Sequence, residues 1–336
     1  MGSSVRRVAV YRGSGTIEVE ERPRPAPSAG QVEVEISHCG ICGSDVHLMF
    51  DGWGPTDVVQ GHEYSGIVTA VGAGADRWRV GDHVTCGGDS DPDAAVGHGE
   101  PGGFGTHVVV DARSLCAVPE GLPLRAAALA EPLAVALHAI TRSGIRAGDP
   151  TLVLGAGPIG ALIVAALRTR DVGPVGVVEP SPRRQALARA VGADAVLHPD
   201  ELPDPSPFSP ATIVEGAVPV VFECSGKRKA MEAGLGMLQR GGRLVLVGAG
   251  IEAPRFDPNR MLLNELTVTG AFCYDPGGID AALALLAGGE LPLDVLLEPD
   301  DIGLDSLGPA LARLAGGEIA GKLLVRPDLE SLESAR

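Results

Sequence analysis

Cysteine, aromatic side chains, runs of positive charge and long apolar stretches are all scarce in this chain, and each shortage narrows what it can be. Six Cys are spread over 336 residues, too few for the disulfide framework of a small secreted domain. They matter only where some gather into a reactive or metal-binding cluster. Acidic residues outnumber basic ones, 43 to 27, for a net charge of −16. No Lys/Arg run forms a basic patch, which argues against a nucleic-acid partner. The longest apolar run, 152–167, is interrupted by Gly and Pro and is too short for a membrane span. Residues 1–13 contain the pair Arg6 and Arg7 but no apolar signal core, so the protein reads as cytoplasmic, with its thiols reduced. Aromatics make up 3%, whereas Gly supplies 47 residues and Pro 27. That balance predicts many short strands and tight turns. The glycines follow no fixed period, which excludes a collagen-like fibre.

What is present is enough for a folded protein: apolar residues are 45% and charged residues 21%. The length predicts about two domains. The first 150 residues look β-rich, with strands over 5–11, 31–38, 66–71 and 106–110 between Gly/Pro punctuation. Val32, Val34 and Ile36 alternate with Glu33, Glu35 and Ser37, the mark of a half-buried strand. From about Pro150 the texture changes. Apolar strands over 151–154, 175–178, 220–222 and 243–247 alternate with helical patterns, which predicts βαβ units and a doubly wound parallel sheet. Residues 266–270 read as its last strand. Helices over 279–287 and 308–315 and a strand over 321–326 close the chain. Ser206 and Ser209, among prolines, read as a surface loop.

Gly155-x-Gly157-x-x-Gly160 directly follows an apolar strand and opens a helix. The first Gly permits the tight turn, the second lets backbone approach a pyrophosphate, and the third lets helix and strand pack closely. The helix N-terminus then offers free N–H groups to phosphate. Glu179 ends the next strand, near the spacing at which a carboxylate accepts from ribose hydroxyls. A carboxylate there repels a 2′-phosphate, favouring NAD over NADP. Arg183 and Arg184 lie just beyond and weaken that preference, so NADP stays open. The competing reading is a helix-capping turn beside a solvated Glu179.

A second constellation follows the strand at 31–38. It comprises Cys39-Gly-Ile-Cys42-Gly-Ser44-Asp45-x-His47, then Gly61-His62-Glu63, then Ala130-Glu131-Pro132. Thiolate, imidazole and carboxylate are the ligand types of zinc, and a catalytic zinc takes three protein ligands. Asp45 is a candidate acceptor that would fix the ligand imidazole's tautomer. A structural zinc knuckle needs a second Cys pair, but Cys86, Cys116, Cys224 and Cys273 stand singly. A redox pair belongs at the start of a helix, and Gly43-Ser44-Asp45 reads against one.

With these residues in view, the chain resembles the zinc-dependent medium-chain alcohol and polyol dehydrogenases. The resemblance rests on Cys42-Gly-Ser-Asp-x-His47, Gly61-His-Glu-Tyr-Ser-Gly66, Val80-Gly-Asp-His-Val84, Gly102-Gly-Phe-Gly105, Glu131-Pro132, Gly155–Gly160 and Glu223-Cys-Ser-Gly226. These motifs occur in the family's order and cover nearly the whole chain. The resemblance implies a GroES-like catalytic domain over 1–148 and 275–336, interrupted by a Rossmann domain over 149–274. It implies Cys42 and His62 as zinc ligands, with Glu63 or Glu131 as the third, and Ser44 and His47 as the path that carries the alcohol proton to solvent. Pro158, Ile159, Arg184 and Val247 join Gly155, Gly157, Gly160 and Glu179 as candidate dinucleotide contacts. The implied reaction transfers a hydride between a secondary alcohol or polyol and NAD, in a homodimer or homotetramer.

The chain departs from the family twice. Many relatives bind a second, structural zinc through four closely spaced Cys, whereas residues 85–101 hold only Cys86. One catalytic zinc and no structural zinc are therefore expected. Asp89, Asp91 and Asp93 there lack flanking helices and a twelve-residue loop pattern, so they read as a solvated acidic loop rather than a calcium site. Sorbitol-type relatives carry an Arg near the position of Cys273 that contacts the polyol, and its absence puts a simple polyol substrate in doubt, while secondary alcohols and a modified cyclic polyol both stay open. Met49, Phe50 and Trp53 either wall an apolar pocket or are ordinary core and loop residues. The competing functions are a zinc-free reductase of the same fold, an NAD-binding regulatory protein, and a lyase or isomerase that recycles bound NAD.

Overall fold

A computed structural model describes residues 5–87, 102–203 and 208–329. The acidic stretch with Asp89, Asp91 and Asp93, and Ser206 of the expected surface loop, lie outside the described residues. The chain divides into two units. One takes the described parts of Met1–Glu131, Ile279–Gly289 and Leu297–Arg336; the other takes Pro132–Gly278 and Glu290–Leu296. The first break falls at Glu131, earlier than the change of texture near Pro150 suggests. The reason is the helix Ala130–Ser143, hidden in the β-rich half. Its Leu133, Ala134, Ala136, Ala139 and Ile140 are buried, but alanines at helical spacing give a weak apolar signal.

In the first unit the strand Gln31–Gly40 is the spine. It pairs antiparallel with Glu63–Val71 and with His107–Asp111, and His83–Cys86 and Leu115–Ala117 extend the sheet. Val32, Val34 and Ile36 are buried as their alternation predicts, but Glu33 is buried too. A register shift between Glu33 and Val34 interrupts the ladder, and such irregularities re-aim a side chain. Arg24 Nη2 and Thr69 Oγ1 each donate to Glu33 Oε2 at 2.7 Å. The charged strand Thr16–Pro23, which the sequence pattern does not reveal, pairs with Val5–Gly13 in a separate sheet.

The C-terminal segment completes this unit for a hydrophobic reason. The helix Leu307–Ala315 buries Leu307, Ala310, Leu311 and Leu314, a single stripe at helical spacing. These residues share one core with Val32, Val34 and Val108, and each buried leucine contributes about 1.5–3 kcal/mol. Leu324–Val325 then pairs with Cys39 and Gly40, a shorter closing strand than expected. Asp301 adds a polar tie. Its carboxylate lies 3.2 Å from His38 Nε2 and 2.9 Å from Arg125 Nη2. Burial pushes its pKa up, but His38 and Arg125 outweigh that and hold it below the usual carboxylate range.

The second unit contains a six-stranded parallel sheet. Its spatial order is Ala195–Leu197, Val175–Val178, Thr151–Leu154, Val218–Glu223, Leu238–Leu246, Thr267–Gly270. Numbered along the chain this is 3-2-1-4-5-6, the doubly wound order of dinucleotide-binding sheets, whose order reverses beside the first strand. That first strand is fully buried, as a strand covered on both faces must be. The sheet lies in one unit and the antiparallel sheets in the other, giving the expected α/β class: a GroES-like unit plus a Rossmann unit. No described helix is long and apolar enough to cross a membrane.

Candidate active site

Cys42 precedes the helix Gly43–Phe50 as its N-cap, in extended conformation. Its backbone N–H donates to Asp45 Oδ2 at 2.8 Å. The expectation that no helix starts here was therefore wrong, and with it the argument against a redox pair. Burial separates the two cysteines instead. Cys39 is wholly buried in its strand, and desolvation pushes its pKa well above the usual thiol value. A buried thiol of that kind is inert. Cys42 is half-buried.

His62 immediately precedes the strand Glu63–Val71. Cys86, read from the sequence only as a cysteine standing singly, fixes its backbone: Cys86 Sγ donates to His62 O at 2.9 Å and accepts from Tyr64 N–H at 3.1 Å. Ser44 Oγ lies 3.4 Å from His62 Nε2. Asp45 Oδ1 lies 3.8 Å from Nδ1, on the expected side of the ring but too far for a hydrogen bond. With Asp45 on the Nδ1 side, Nε2 is the nitrogen left to bind a metal. Burial lowers the His62 pKa, but Cys42, Asp45 and Glu131 outweigh it and hold the ring well above its ordinary value. Asp45 itself is wholly buried, and desolvation raises its pKa against the pull of His62.

Cys42, His62 and Glu63 each bring one donor atom within 4.8 Å of the others. Glu131, in the first turn of its helix, is not among the three. It is close enough to be perturbed: burial, against the attraction of His62 and with the repulsion of Glu63, raises its pKa to about 7. The residue that sequence reasoning missed is Lys322. Its Nζ donates to Glu63 Oε1 at 2.6 Å and to Ile41 O at 3.1 Å. Both members of the pair are buried, at 2% and 0% exposure. Burial lowers the Lys322 pKa, but Glu63 and then Cys42 raise it further, so the ammonium is favoured. Glu63 Oε2, equally buried, has no hydrogen-bond partner. A buried carboxylate oxygen left open calls for an explanation. One thiol, one imidazole and one open carboxylate oxygen fit a zinc ion. A signal for Lys322 was available. The chain has only three lysines, at 227, 229 and 322, and the last stands among Ile319, Ala320, Leu323 and Leu324. A lysine in so apolar a setting needs a partner.

His47 lies one turn beyond Ser44 in the same helix. Its Nδ1 is 2.7 Å from Asp51 Oδ2. The ring stacks on Trp53 with centroids 4.4 Å apart. Of the three apolar residues considered for a pocket wall, Met49 is core, whereas Phe50 and Trp53 are exposed.

In the second unit the strand Thr151–Leu154 ends in Gly155, at φ +95°. Gly157 is the N-cap of the helix Pro158–Arg168 and makes no side-chain cap bond, so the first-turn N–H groups are available to a ligand. A Cβ at Gly160 would lie 1.9 Å from Gly155 O, which enforces glycine there. A Cβ at Gly157 would meet only the Arg184 guanidinium, at 3.8 Å. Space for a phosphate is therefore open at Gly157, with Arg184 beside it. Pro158 and Ile159 are half-buried in the first turn. Glu179 differs from the expected free acceptor. It is 3% exposed, and its oxygens already accept Ala156 N–H at 2.8 Å and Ser181 N–H at 2.9 Å. Val247 follows the strand Leu238–Leu246 and donates its N–H to Glu223 O at 2.8 Å.

Comparison with known proteins matches residues 28–120 to the alcohol dehydrogenase GroES-like domain and residues 158–288 to the zinc-binding dehydrogenase model. A 2-dehydro-3-deoxy-L-galactonate 5-dehydrogenase from Pseudoalteromonas atlantica is 33% identical over 305 residues, 85% of this chain and 88% of that one. The crystal structure of 2R,3R-butanediol dehydrogenase from Bacillus subtilis superposes with a TM-score of 0.84 at 31% identity, covering 96% of this chain and 99% of that one. A Sinorhizobium meliloti protein described as a zinc-binding dehydrogenase, solved with NADP, superposes with a TM-score of 0.84 at 28% identity, covering 97% and 100%. Sequence motifs, sheet order and these likenesses agree: the chain belongs to the zinc-dependent medium-chain alcohol and polyol dehydrogenases, and is an oxidoreductase.

Proposed function

We propose that this enzyme oxidises a secondary alcohol, as a vicinal diol or modified polyol, with NAD as hydride acceptor and one zinc ion per chain. The observation that carries the reading is the convergence of Cys42, His62 and Glu63 around an unanswered carboxylate oxygen. Cys42, His62 and Glu63 hold the metal, and Glu131 acts nearby without joining that set. Lys322 balances the charge of Glu63 whenever its carboxylate is away from the metal. Bound zinc supplies a Lewis acid that favours loss of the alcohol proton, and bound NAD supplies the hydride acceptor. Ser44, beside His62, takes the proton first, and His47 passes it to solvent. Asp45 keeps the His62 ring oriented through its Nδ1 side.

The Gly155–Gly160 turn and the open helix N-terminus bind the pyrophosphate. Glu179 supports NAD as the preferred dinucleotide. Its buried charge disfavours a 2′-phosphate, while its oxygens keep lone pairs for ribose hydroxyls. Arg184, beside Gly157, gives NADP a weaker alternative. The strand Thr267–Gly270 ends the sheet among the described residues, and an edge of this kind supports a homo-oligomer joined edge to edge. Cys273 in place of the polyol-binding Arg supports a substrate less hydroxylated than sorbitol.

The test measures zinc by mass spectrometry and reduced nicotinamide formation on secondary alcohols, diols and polyols, with NAD and with NADP, for wild type and Cys42→Ala. The expected result is one zinc per chain, turnover with NAD above NADP, and loss of both zinc and turnover in the variant. Absence of zinc from protein purified without chelator would sink the reading.

A further inference from the structure

The helix Gly43–Phe50 ends on Asp51, whose N–H donates to His47 O at 3.0 Å. The Asp51 side chain returns to the same residue, with Oδ2 at 2.7 Å from His47 Nδ1. Gly52 then takes φ +69°, a left-handed conformation that costs a residue with a side chain. That turn brings Trp53 back over the helix, its ring stacked on His47 at an interplanar angle of 17°. The segment Asp51-Gly52-Trp53 thus grips His47 by one edge and one face, and none of the three is a metal ligand. His47 is 20% exposed and Asp51 34%, so the gripped edge of the ring lies at the water boundary.

A carboxylate only accepts hydrogen bonds, so a neutral ring in this contact carries its hydrogen on Nδ1 and its lone pair on Nε2. We propose that Asp51 and Trp53 are positioning residues of the proton path. Asp51 fixes the Nδ1–H tautomer of His47 and Trp53 fixes the ring plane, leaving Nε2 as the acceptor of the alcohol proton. The inference rests on the reading of Ser44 and His47 as that path. The step balances: the O–H bond of the alcohol breaks, its proton is relayed through Ser44 to form N–H at His47 Nε2, and the resulting cation faces the Asp51 carboxylate until a proton leaves to water.

The test reads the tautomer directly. Zinc-loaded protein labelled with 15N-histidine is examined by long-range 1H–15N correlation, and the His47 signals are identified by their loss in His47→Gln. Wild type is expected to show Nδ1 protonated and Nε2 bare. Asp51→Leu is expected to move the ring towards the Nε2–H form, and Asp51→Glu to restore the wild-type pattern in part. An Nε2–H ring in wild type, or a tautomer unmoved in Asp51→Leu, overturns the proposal. In parallel, oxidation of (R,R)-2,3-butanediol with NAD is followed. His47→Gln is expected to lower kcat about 100-fold, and Asp51→Leu about 10-fold with KM unchanged. Trp53→Leu is expected to lower kcat by a smaller factor while leaving the tautomer as it is. Full kcat in His47→Gln removes the relay itself. A low kcat in His47→Gln with full kcat in Asp51→Leu, despite a changed tautomer, leaves the relay standing and removes the role of Asp51.

Discussion

In the proposed metal site Cys42, His62, Glu63 and Lys322 contribute side chains, whereas in the proposed dinucleotide turn Gly155, Gly157 and Gly160 contribute by having none. The buried carboxylates Glu179 and Glu223 of the one region and Glu63 and Asp45 of the other show the same contrast. In the dinucleotide unit, Glu179 accepts two backbone N–H groups. Glu223 accepts the N–H of Ser225 at 2.8 Å, the Ser225 hydroxyl, and the N–H of Gly226 at 3.1 Å. Every oxygen of that pair is answered by the chain. In the catalytic unit, Glu63 has one oxygen answered by Lys322 and one left open, and Asp45 Oδ1 is open as well. Buried polar groups without partners destabilise a fold, and the open oxygen of Glu63 belongs to the residue that gathers with Cys42 and His62, where we propose that a metal enters. The dinucleotide turn, by contrast, needs backbone shape and free N–H groups, and its acidic residues serve to hold that shape.

The largest test of this contrast is Cys42→Ala. Removing one of three metal ligands is expected to abolish zinc retention and lower turnover by about a thousandfold or more, measured by metal content and initial rate. Retained zinc would mean that Glu131 or Asp45 fills the gap, and the open-valence argument would fail. Next comes Lys322→Met, which leaves Glu63 buried without its cation. Metal-free protein is expected to lose about 3–5 kcal/mol in urea unfolding, and the double variant Glu63→Gln/Lys322→Met to recover most of it. If the single change costs nothing, Glu63 is not held by charge.

The glycines sharpen the other side. Gly160→Ala forces a Cβ against Gly155 O and is expected to cost about 1–3 kcal/mol of stability. Gly157→Ala meets only Arg184, so stability should change by less than about 0.5 kcal/mol, while the NAD dissociation constant rises about tenfold. Calorimetry and NAD titration separate the two, and equal loss of stability in both would erase the distinction between packing and ligand glycines. The smallest effect is expected from Asp301→Asn, about 1–2 kcal/mol at pH 7. The folded pKa of Asp301 lies below its unfolded value. The wild-type advantage is therefore full above about pH 5 and fades as pH falls below about 4. Unfolding curves at pH 7 and pH 3 check the sign.

The strand, turn and helix around Gly155–Gly160 were legible in the sequence because they are formed by residues adjacent in the chain. Cys42, His62 and Glu63 were legible as residue types. Lys322 could be singled out as a rare lysine in an apolar setting, but its partner could not, because Glu63 lies 259 positions away and no local pattern joins them. Glu33 misled for the opposite reason. Strict alternation put it in water, and an irregularity in the ladder together with Arg24 and Thr69 brought it inside. The helix Ala130–Ser143 escaped notice because alanine gives little apolar contrast, and this displaced the break between the units. For Glu179 the residue was identified, but the sequence could not show that backbone N–H groups already occupy its oxygens.

The Lys322–Glu63 pair also has a consequence during synthesis of the protein. Glu63 leaves the ribosome early, while its counter-charge follows only when Lys322 emerges. At about 5–20 residues per second, the intervening chain takes on the order of ten seconds or more to appear. Throughout that interval the nascent first unit holds Glu63 without its lysine and lacks the core leucines of the helix Leu307–Ala315. The pairing of Glu63 thus waits on the synthesis of Lys322. A chain that stops short of Lys322 would carry the proposed metal donors Cys42, His62 and Glu63, yet leave Glu63 without its counter-charge.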